Sequence, residues 1–238
     1  MGRLIENLYA VAGSGLTHEW DASAYLVAGD EPVLIDCGST VGYTKLKANL
    51  QQIGYAPKDI RKVIATHGHW DHVSGMALLR EESDAEFLIH EADRRQVESG
   101  DTDKTAAFLY NEPFPKIAVD GLIQDGETLR LGDYDFEVIH TPGHSLGSVS
   151  LYTRIHDLGI LIVGDTVWGG FHPRIGSDID KWEQSLDRLL ELDFDVFTWG
   201  HGQPCLIPEA KVRIQEARRQ LGVYFHPWFK PFYRKFTY

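Results

Sequence analysis

The sequence predicts a mixed α/β domain, and two features of its patterning support this fold class. Short apolar runs typical of strands alternate with segments of helical periodicity. Strands dominate the first third of the chain and the stretch from 128 to 163, which a purely alternating βαβ chain would not show. A mixed arrangement therefore fits better than a strictly alternating one.

Each predicted element rests on its local pattern. The nine apolar runs predicted to be strands are 4–11, 24–28, 33–35, 62–65, 86–89, 136–139, 148–152, 160–163 and 196–198. The five segments of helical periodicity are 41–53, 73–81, 92–99, 181–192 and 209–221. Ser177 or Asp178 is placed to cap the helix that begins near Asp180.

Composition and charge exclude several classes of protein. Of 238 residues, 43% are hydrophobic and 24% charged, which excludes a disordered chain. With 35 acidic against 23 basic residues, the formal charge of −12 argues against a general nucleic-acid binder. No apolar run approaches the roughly 20 residues of a membrane span, and the N-terminus lacks the apolar stretch of a secretory signal. We therefore expect a cytoplasmic protein with no nucleic-acid or membrane partner.

Several predicted strands end in a polar residue where the apolar run stops. In α/β sheets, sites gather beyond the carboxyl ends of strands, because the rigid strands aim the loops there. We therefore expect these side chains to meet in one cleft, although they are far apart in the chain. The residues at these strand ends are Asp36, His67, His140, Asp165 and His201.

The densest group of chemically active side chains lies in one short segment, at His67, His69, Asp71 and His72. Buried histidine and aspartate each need a polar partner, so these are not core residues. The spacing suits an extended loop that enters a helix, from which side chains converge on two adjacent metal ions. Imidazole nitrogen and carboxylate oxygen are ligands that zinc, iron or manganese accept.

Three isolated residues further along could complete such a site. His144 lies in a turn that Pro142 and Gly143 shape after a strand, and Asp165 ends an apolar strand. His201 stands between two glycines, which let the backbone approach a neighbour closely. Each alone is more often structural, but together with the dense segment they become candidate metal ligands.

These residues resemble the signature of the metallo-β-lactamase fold superfamily, a His-x-His-x-Asp-His loop followed by a later His, a later Asp and a final His. The resemblance covers the chain from about Leu4 to His201. It implies an αββα sandwich of two mixed β-sheets flanked by helices, with a metal cleft along one edge. It also implies a catalytic domain over 1–206, followed by a C-terminal helix and tail over 207–238.

The resemblance implies two divalent metal ions per chain, with zinc expected and iron or manganese as alternatives. The first ion would be held by His67, His69 and His144. The second would be held by Asp71, His72 and His201. Asp165 would bridge the two ions, and Asp36 would lie behind the ligands and orient the histidine loop.

The implied activity is hydrolysis of an ester-like bond in a small molecule, either a lactone, a thioester or an ester. A hydroxide bridging the two metals would attack the carbonyl. Asp71 would be the catalytic residue that takes a proton from the attacking water or passes one to the leaving group. Gly164-Asp165-Thr166 resembles the glyoxalase II and lactonase branches.

Departures from these branches leave alternatives open. Only 37 residues follow His201, too few for the glutathione-binding domain of glyoxalase II, and Trp168 stands where the lactonases have a tyrosine. A mononuclear iron persulfide dioxygenase is one alternative, although it would leave His69, Asp71 and His201 without a metal to bind. The other is an amide hydrolase of the β-lactamase type.

Two segments are predicted to line the substrate pocket. Residues 91–116 form an insertion between the histidine loop and His144, expected to cap the cleft or else to pack its own aromatics at the surface. The loop after Asp165 must begin close to the metals. In that loop, Trp168 and Phe171 are expected to form an apolar wall, and His172 or Arg174 to meet a substrate carboxylate.

The C-terminal segment is strongly aromatic. Residues 224–238 contain eight aromatic side chains interleaved with lysine and arginine. That much apolar surface is expected to be covered, either by the chain's own domain or, as the preferred possibility, by a homodimer partner.

Overall fold

Two β-sheets stacked face to face form the centre of the molecule, and helices cover both outer faces. The computed structural model describes residues 2–221. One sheet has seven strands and the other has five, and each contains both parallel and antiparallel pairs. The expected αββα sandwich of two mixed sheets is therefore confirmed.

The seven-stranded sheet follows chain order. Its first four strands are antiparallel, and the pairs from β4 to β7 are parallel. The strands are β1 Gly2–Ile5, β2 Leu8–Ala12, β3 Ala24–Val27, β4 Val33–Ile35, β5 Lys62–Ile64, β6 Glu86–His90 and β7 Gly121–Ile123.

The five-stranded sheet has the order β12-β11-β10-β9-β8. Four of its strands form an antiparallel meander, and β12 joins β11 in parallel. The strands are β8 Thr128–Leu131, β9 Tyr134–His140, β10 Val149–Ile155, β11 Leu158–Ile162 and β12 Val196–Thr198.

Within the described part of the chain, the sheets are surrounded by six α-helices: α1 Tyr43–Ile53, α2 Trp70–Val73, α3 Met76–Leu79, α4 Glu91–Ser99, α5 Ile179–Glu191 and α6 Ala210–Gln220. Helix α5 shows the pattern most clearly, because it buries Trp182, Ser185, Leu186 and Leu189 at helical spacing. The Asp178 carboxylate accepts a hydrogen bond from the Lys181 amide, which confirms the predicted cap.

Within residues 2–221, three clusters of apolar side chains fill the spaces between the layers of helices and sheets. One lies between the seven-stranded sheet and helices α1 to α4, and includes Leu46, Val63 and Phe87. A second fills the space between the sheets, around Ile64, Phe136 and Leu151. The third joins the five-stranded sheet to α5 and α6. Burial on both faces explains why the strands read as short continuous apolar runs.

Some element predictions were wrong. The predicted strand 4–11 is two strands, β1 and β2, because the chain turns between them and Asn7 adopts a left-handed φ of +58°. Strands β7 and β8 were not predicted. β8 carries a readable signal, since Leu129 and Leu131 alternate with exposed Thr128 and Arg130.

The C-terminal half of the predicted tail segment lies outside the described residues. Helix α6 packs on α5, where the Arg218 guanidinium pairs with the carboxylates of Asp187 and Glu183. The aromatic residues 224–238, and the dimer contact predicted for them, fall beyond position 221. None of the helices in residues 2–221 has the length and apolarity needed to cross a membrane.

Helix α5 packs closely against the turn that contains His144. Gly143 has a φ of +151°, and a Cβ at this position would lie 2.2 Å from the Cβ of Trp182. We expect Gly143→Ala to lower the free energy of unfolding by about 3 kcal/mol or more, because it combines overpacking with backbone strain. Denaturant unfolding followed by circular dichroism measures this loss.

Gly126→Ala is the matched control. Gly126 also has a positive φ, +75°, but no atom lies within 4 Å of a Cβ built there. Its substitution should therefore cost only the backbone strain, about 1 kcal/mol. Equal losses in the two variants would contradict the close packing of α5 against the His144 turn.

Candidate metal centre

The carboxyl ends of five strands bring the predicted ligands and Asp36 to one edge of the sandwich. Asp36 and His67 follow the neighbouring parallel strands β4 and β5, while Asp165 and His201 follow the neighbouring parallel strands β11 and β12. His144 follows β9, which runs in the same direction as β11. Residues far apart in the chain therefore face a common cleft, as predicted. His140 is the exception, because its ring stacks on His90 with centroids 4.0 Å apart and it belongs to neither set of candidate donors.

Three imidazoles form the first set of donor atoms. The His69 Nδ1 lies 3.0 Å from His67 Nε2 and 2.8 Å from His144 Nε2. All three side chains are buried, and the donor atoms of the set lie within 4.8 Å of one another. Imidazole nitrogens around one tetrahedral zinc, at bonds of about 2.0–2.1 Å, are roughly 3.4 Å apart, so this set suits a single ion.

The second set consists of Asp71, His72 and His201. The Asp71 Oδ2 lies 3.2 Å from His201 Nε2 and 3.7 Å from His72 Nε2. His72 and Asp71 are buried, whereas His201 is partly exposed and lies at the open side. A carboxylate with two imidazoles is again a donor set that a divalent cation accepts.

Asp165 lies between the two sets. Its Oδ2 is 3.1 Å from His201 Nε2 and 3.3 Å from His144 Nε2, and its Oδ1 is 3.2 Å from His72 Nε2. The His72 Nε2 and the Asp165 Oδ1 are buried atoms that make no hydrogen bond within residues 2–221. Buried polar atoms are ordinarily partnered, so a cation between them fits the residues present.

A glycine permits this close approach. A Cβ on Gly200 would lie 1.9 Å from the Asp165 Oδ1, so no other residue fits beside the carboxylate without displacing it. This accounts for one of the two glycines that flank His201 in the sequence.

Asp36 lies behind the ligands. Its Oδ2 accepts a hydrogen bond from His72 Nδ1 at 2.8 Å and from the Thr66 hydroxyl at 2.7 Å, and its Oδ1 accepts from the Thr66 amide. Donation from Nδ1 leaves the His72 Nε2 facing Asp165. The Asp36 backbone is left-handed, with a φ of +56°, a strained conformation typical of functional sites. The placement agrees with the orienting role predicted for this residue.

His144 is oriented by a backbone group. Its Nδ1 donates to the Gly170 carbonyl at 2.7 Å, which directs Nε2 toward the first donor set. The loop after Asp165 therefore fixes the ring of a candidate ligand that comes from a different strand.

Asp93, which sequence reasoning missed, holds the two histidine loops together. This buried carboxylate accepts from the Gly68 amide at 2.9 Å, the Ser145 hydroxyl at 2.8 Å and the Gly147 amide at 2.8 Å. Gly68 separates His67 from His69, and Ser145 adjoins His144. The position of Asp93 three residues past the end of β6, at the same sheet edge, is the signal that could have revealed it.

The two donor sets differ in their protonation. Burial, together with repulsion from neighbouring imidazoles, lowers the pKa of His67 and of His69 well below the ordinary value, and burial lowers that of His144. In the second set, burial alone would lower the pKa of His201, but the carboxylates of Asp165 and Asp71 raise it to about 10.

Attraction between opposite charges also shifts the pKa values of Asp71 and His72, downward for the carboxylate and upward for the imidazole. Burial alone would raise the pKa of Asp71, but His72 and His201 hold it at about 2. The pKa of His72 lies well above its ordinary value, because three carboxylates outweigh its burial. At neutral pH the metal-free second set is therefore a network of ionised groups, while the first set is neutral.

The donor sets open into a cavity of about 520 Å³. His69, Asp71, His144, Asp165 and His201 lie at its base. The remaining walls come from Ser14, Glu19, Gly202, the loop residues Gly170, His172 and Ile175, and the insertion residues Ala106, Leu109 and Tyr110.

The structure places only one of the four predicted pocket residues, His172, on this cavity. Trp168 has a left-handed φ of +61° and packs beside Trp199 and Phe197, with ring centroids at 5.2 and 6.4 Å. Phe171 belongs to the cluster beneath α5. Arg174 pairs with Asp103 and lies 3.8 Å over the Phe108 ring, so it is directed at the insertion.

The insertion is attached to the metal-ligand loop. The Trp70 amide donates to the Thr105 carbonyl at 2.7 Å, and the Tyr110 ring stacks on Trp70 with centroids 4.8 Å apart. Trp70 stands between His69 and Asp71. The segment 91–116 therefore contacts the centre through the residue that separates two candidate ligands.

Comparison with known proteins agrees with this geometry. The sequence profile described as the metallo-beta-lactamase superfamily matches residues 19–201, which contain all seven candidate ligands. The chain belongs to this superfamily. Its members include proteins named as hydrolases, and the chain is accordingly a hydrolase with a site suited to divalent metal ions.

Similar proteins cover most of the chain. A probable metallo-hydrolase of Bacillus subtilis, YqgX, is 30% identical over 200 residues, which are 82% of this chain and 89% of that protein. The acyl-coenzyme A thioesterase MBLAC2 of Homo sapiens is 29% identical over 200 residues, 72% of this chain and 68% of that one.

A similar solved structure supports the fold. BJP-1, a subclass B3 metallo-beta-lactamase of Bradyrhizobium japonicum, superimposes with a TM-score of 0.75 at 21% identity. The superposition covers 91% of this chain and 89% of that chain. At this identity the similarity concerns the fold alone.

The different protonation of the two sets predicts a pH dependence of metal binding. The first set binds an ion without losing protons near pH 7, whereas His72 and His201 must each release one. We expect the second equivalent of Zn²⁺ to bind at least about tenfold more tightly at pH 8.5 than at pH 6.5. Chelator competition on metal-depleted protein measures both affinities.

The first equivalent is the internal reference, because the pKa values of His67, His69 and His144 lie below the ordinary 6.5, so these rings are mainly unprotonated at both pH values. Its affinity should change little. Proton release, followed with an indicator dye in weak buffer, should accompany mainly the second equivalent. The same pH dependence for both equivalents would contradict the assigned protonation.

The Asp93 hydrogen bonds predict a selective effect on the first donor set. In Asp93→Asn one carboxylate oxygen becomes an amide nitrogen that cannot accept, so at least one loop loses its partner. We expect the affinity of the first Zn²⁺ to fall about 10- to 100-fold, as is typical when a group that orients ligands is removed. Competition titration and metal analysis measure the change.

Asp21→Asn is the control. Asp21 is equally buried, but its carboxylate accepts from the amide of Ser39 at 3.0 Å and from the Ser39 hydroxyl instead of from the histidine loops. Both variants should lose stability, and only Asp93→Asn should lose first-site affinity. Equal metal affinities in the two variants would show that Asp93 acts on stability alone.

Proposed function

We propose that the protein is a binuclear zinc hydrolase of acyl thioesters. The observation that carries this proposal is the arrangement of the donor atoms: two adjacent sets share Asp165 between them, and both open into one cavity. Zinc is proposed because the sets contain five imidazoles and two carboxylates, all of which are ordinary zinc ligands.

Divalent ions held in such a site supply Lewis acidity for the substrate carbonyl and lower the pKa of water toward about 7. The chain's own residues place and move the proton. Asp71 reaches the cavity, and its low pKa keeps it ionised and able to accept a proton from the attacking water. The oxygen of that water forms a bond to the acyl carbon, and the C–S bond breaks.

The choice of a thioester follows from the leaving group. Asp71 has a pKa of about 2 and is a weak proton donor at neutral pH. A thiol has a pKa near about 8.5 and leaves readily as the thiolate, whereas an amine must be protonated before it leaves. A site whose carboxylate stays ionised, and so offers no proton to the leaving group, is therefore better suited to a thioester than to an amide.

Two further observations support the proposal. The human and chicken proteins named acyl-coenzyme A thioesterase MBLAC2 are each 29% identical to this chain over about 200 residues. The cavity residues among positions 2–221 include no lysine or arginine that could bind the carboxylate of a β-lactam. Amide hydrolysis of the β-lactamase type is therefore the weaker alternative.

The mononuclear dioxygenase is disfavoured by the second donor set. An enzyme with one iron ligated by two histidines and one aspartate would leave His69, Asp71 and His201 without a metal. In this structure the three side chains converge within the same buried site. Their convergence supports hydrolysis.

The test is a substrate panel with the zinc-loaded protein. We expect thioesters to be hydrolysed with kcat/KM well above that for a simple ester, a lactone and a β-lactam, and without oxygen uptake. His69→Ala should lower thioester turnover by roughly 100-fold or more, because binding of the first ion supplies several kcal/mol of transition-state stabilisation. Thiol release, detected with a thiol-reactive dye, measures turnover.

His156→Ala is the matched control, because this histidine is exposed, pairs with Glu6 and contacts no candidate ligand. It should retain full activity. Oxygen consumption with a persulfide substrate and one iron per chain would reject the proposal in favour of the dioxygenase. Preferential β-lactam turnover would reject it in favour of the amide hydrolase.

A further inference from the structure

We propose that the insertion selects thioesters with an uncharged, apolar acyl group, through a wall to which Leu109, Ala106 and Ile175 contribute. This inference rests on the proposed function and names the substrate class of the same site. It assigns substrate selection to these residues instead of to Trp168 and Phe171, which were predicted to form an apolar wall but do not line the cavity.

The apolar wall and the candidate ligands line one continuous cavity. Ala106 and Ile175 are buried within it, and Leu109 stands at its mouth with half of its side chain exposed. Leu109 has the most exposed side chain among the apolar residues that line the cavity. An acyl chain whose carbonyl reached the ligands would extend along the wall and remove Leu109 from water.

The wall is held in place from both sides. On the side of the metal ligands, the Thr105 carbonyl accepts a hydrogen bond from the Trp70 amide, and the Tyr110 ring stacks on the Trp70 ring. On the other side, Arg174 covers Phe108 and pairs with Asp103. These contacts give the wall a fixed distance from the candidate ligands, which selection by chain length requires.

The backbone of the wall is itself strained. Ala106 has a left-handed φ of +59° although it carries a Cβ. Non-glycine residues adopt this conformation at a cost, and such outliers are found mostly where the surrounding structure holds them for a purpose. Here the strained residue begins the helical turn Ala107–Leu109, which presents Leu109 to the cavity.

The charges on the cavity exclude an anionic acyl group. Among the described residues, its lining includes no lysine or arginine, and Glu19 is the one carboxylate outside the donor sets. Burial and the nearby Arg174 lower the pKa of His172, so its ring is neutral at pH 7. A carboxylate at the end of an acyl chain would lose solvation here, and the nearby Arg174 is already paired with Asp103.

The test uses N-acetylcysteamine thioesters, which share one thiol and differ only in the acyl group. We expect kcat/KM to rise from acetyl through butanoyl and hexanoyl to octanoyl, by about fourfold for each methylene that reaches the wall. The glutaryl thioester, which ends in a carboxylate, should react roughly tenfold or more slowly than the hexanoyl one.

Variants of Leu109 test the residue assignment. Leu109→Asp should lower the ratio of octanoyl to acetyl kcat/KM by about tenfold or more, and Leu109→Ala should give an intermediate ratio. Val212→Asp is the matched control, because Val212 is an exposed apolar residue on α6 that does not line the cavity. That variant should keep the wild-type ratio.

A binding measurement separates this inference from the proposed function. Calorimetric titration with octanamide reports on the acyl site without turnover, and Leu109→Asp should weaken binding relative to Val212→Asp. A flat chain-length series, faster glutaryl hydrolysis or a ratio unaffected by Leu109→Asp would overturn the acyl wall. Leu109-dependent octanamide binding without any thioester turnover would support the wall and reject the proposed function.

Discussion

Crowding of like side chains in one buried volume is the constraint on which the rest of the structure depends. Five imidazoles and two carboxylates converge there, and the His72 Nε2 and Asp165 Oδ1 face each other at 3.2 Å without a hydrogen bond. Such an arrangement is costly unless a cation compensates it. Strands that end at one sheet edge supply the rigid positions needed to hold it. The αββα sandwich can therefore be understood as a support that holds seven donor groups from four strand ends in one buried volume.

Two further carboxylates divide the task of orienting these donors. Asp36 receives hydrogen bonds from Thr66 and from His72, and so acts on the second donor set. Asp93 receives three hydrogen bonds from the loops that carry the first set. Each carboxylate joins segments that are distant in the chain, and each is satisfied by donors that do not themselves face the metal site. The Thr66 hydroxyl also lies 3.1 Å from His67 Nδ1, so a change at Asp36 reaches both donor sets, whereas the hydrogen bonds of Asp93 come from residues beside ligands of the first set.

Whether a feature could be predicted from the sequence depends on how far apart in the chain the interacting residues lie. The metal-ligand role of the His67–His72 segment could be predicted because three histidines and an aspartate lie within six residues. The polar residues at the strand ends indicated that the other candidate ligands lie at the same sheet edge. Asp93 was missed because an aspartate in the first turn of a helix ordinarily interacts with the helix itself. Trp168 was misplaced because its left-handed backbone turns the side chain away from the cleft, and pattern reading has no access to φ. Arg174 was misplaced because its partner Asp103 lies 71 residues earlier.

The residues that bind the metals and the residues that select the substrate lie on different parts of the fold. The candidate ligands are carried by strand ends, whereas most of the wall that meets the acyl group comes from the insertion, and the two are joined through Trp70 and through Asp93 at the start of the insertion. A change at Leu109 alters an exposed side chain at the mouth of the cavity and leaves the contacts of Trp70 in place. A change at Trp70 would disturb the Thr105 hydrogen bond and the Tyr110 stack together, and with them the backbone between His69 and Asp71. Substrate preference can therefore vary at the outer end of the insertion, while its inner end is constrained by the metal centre.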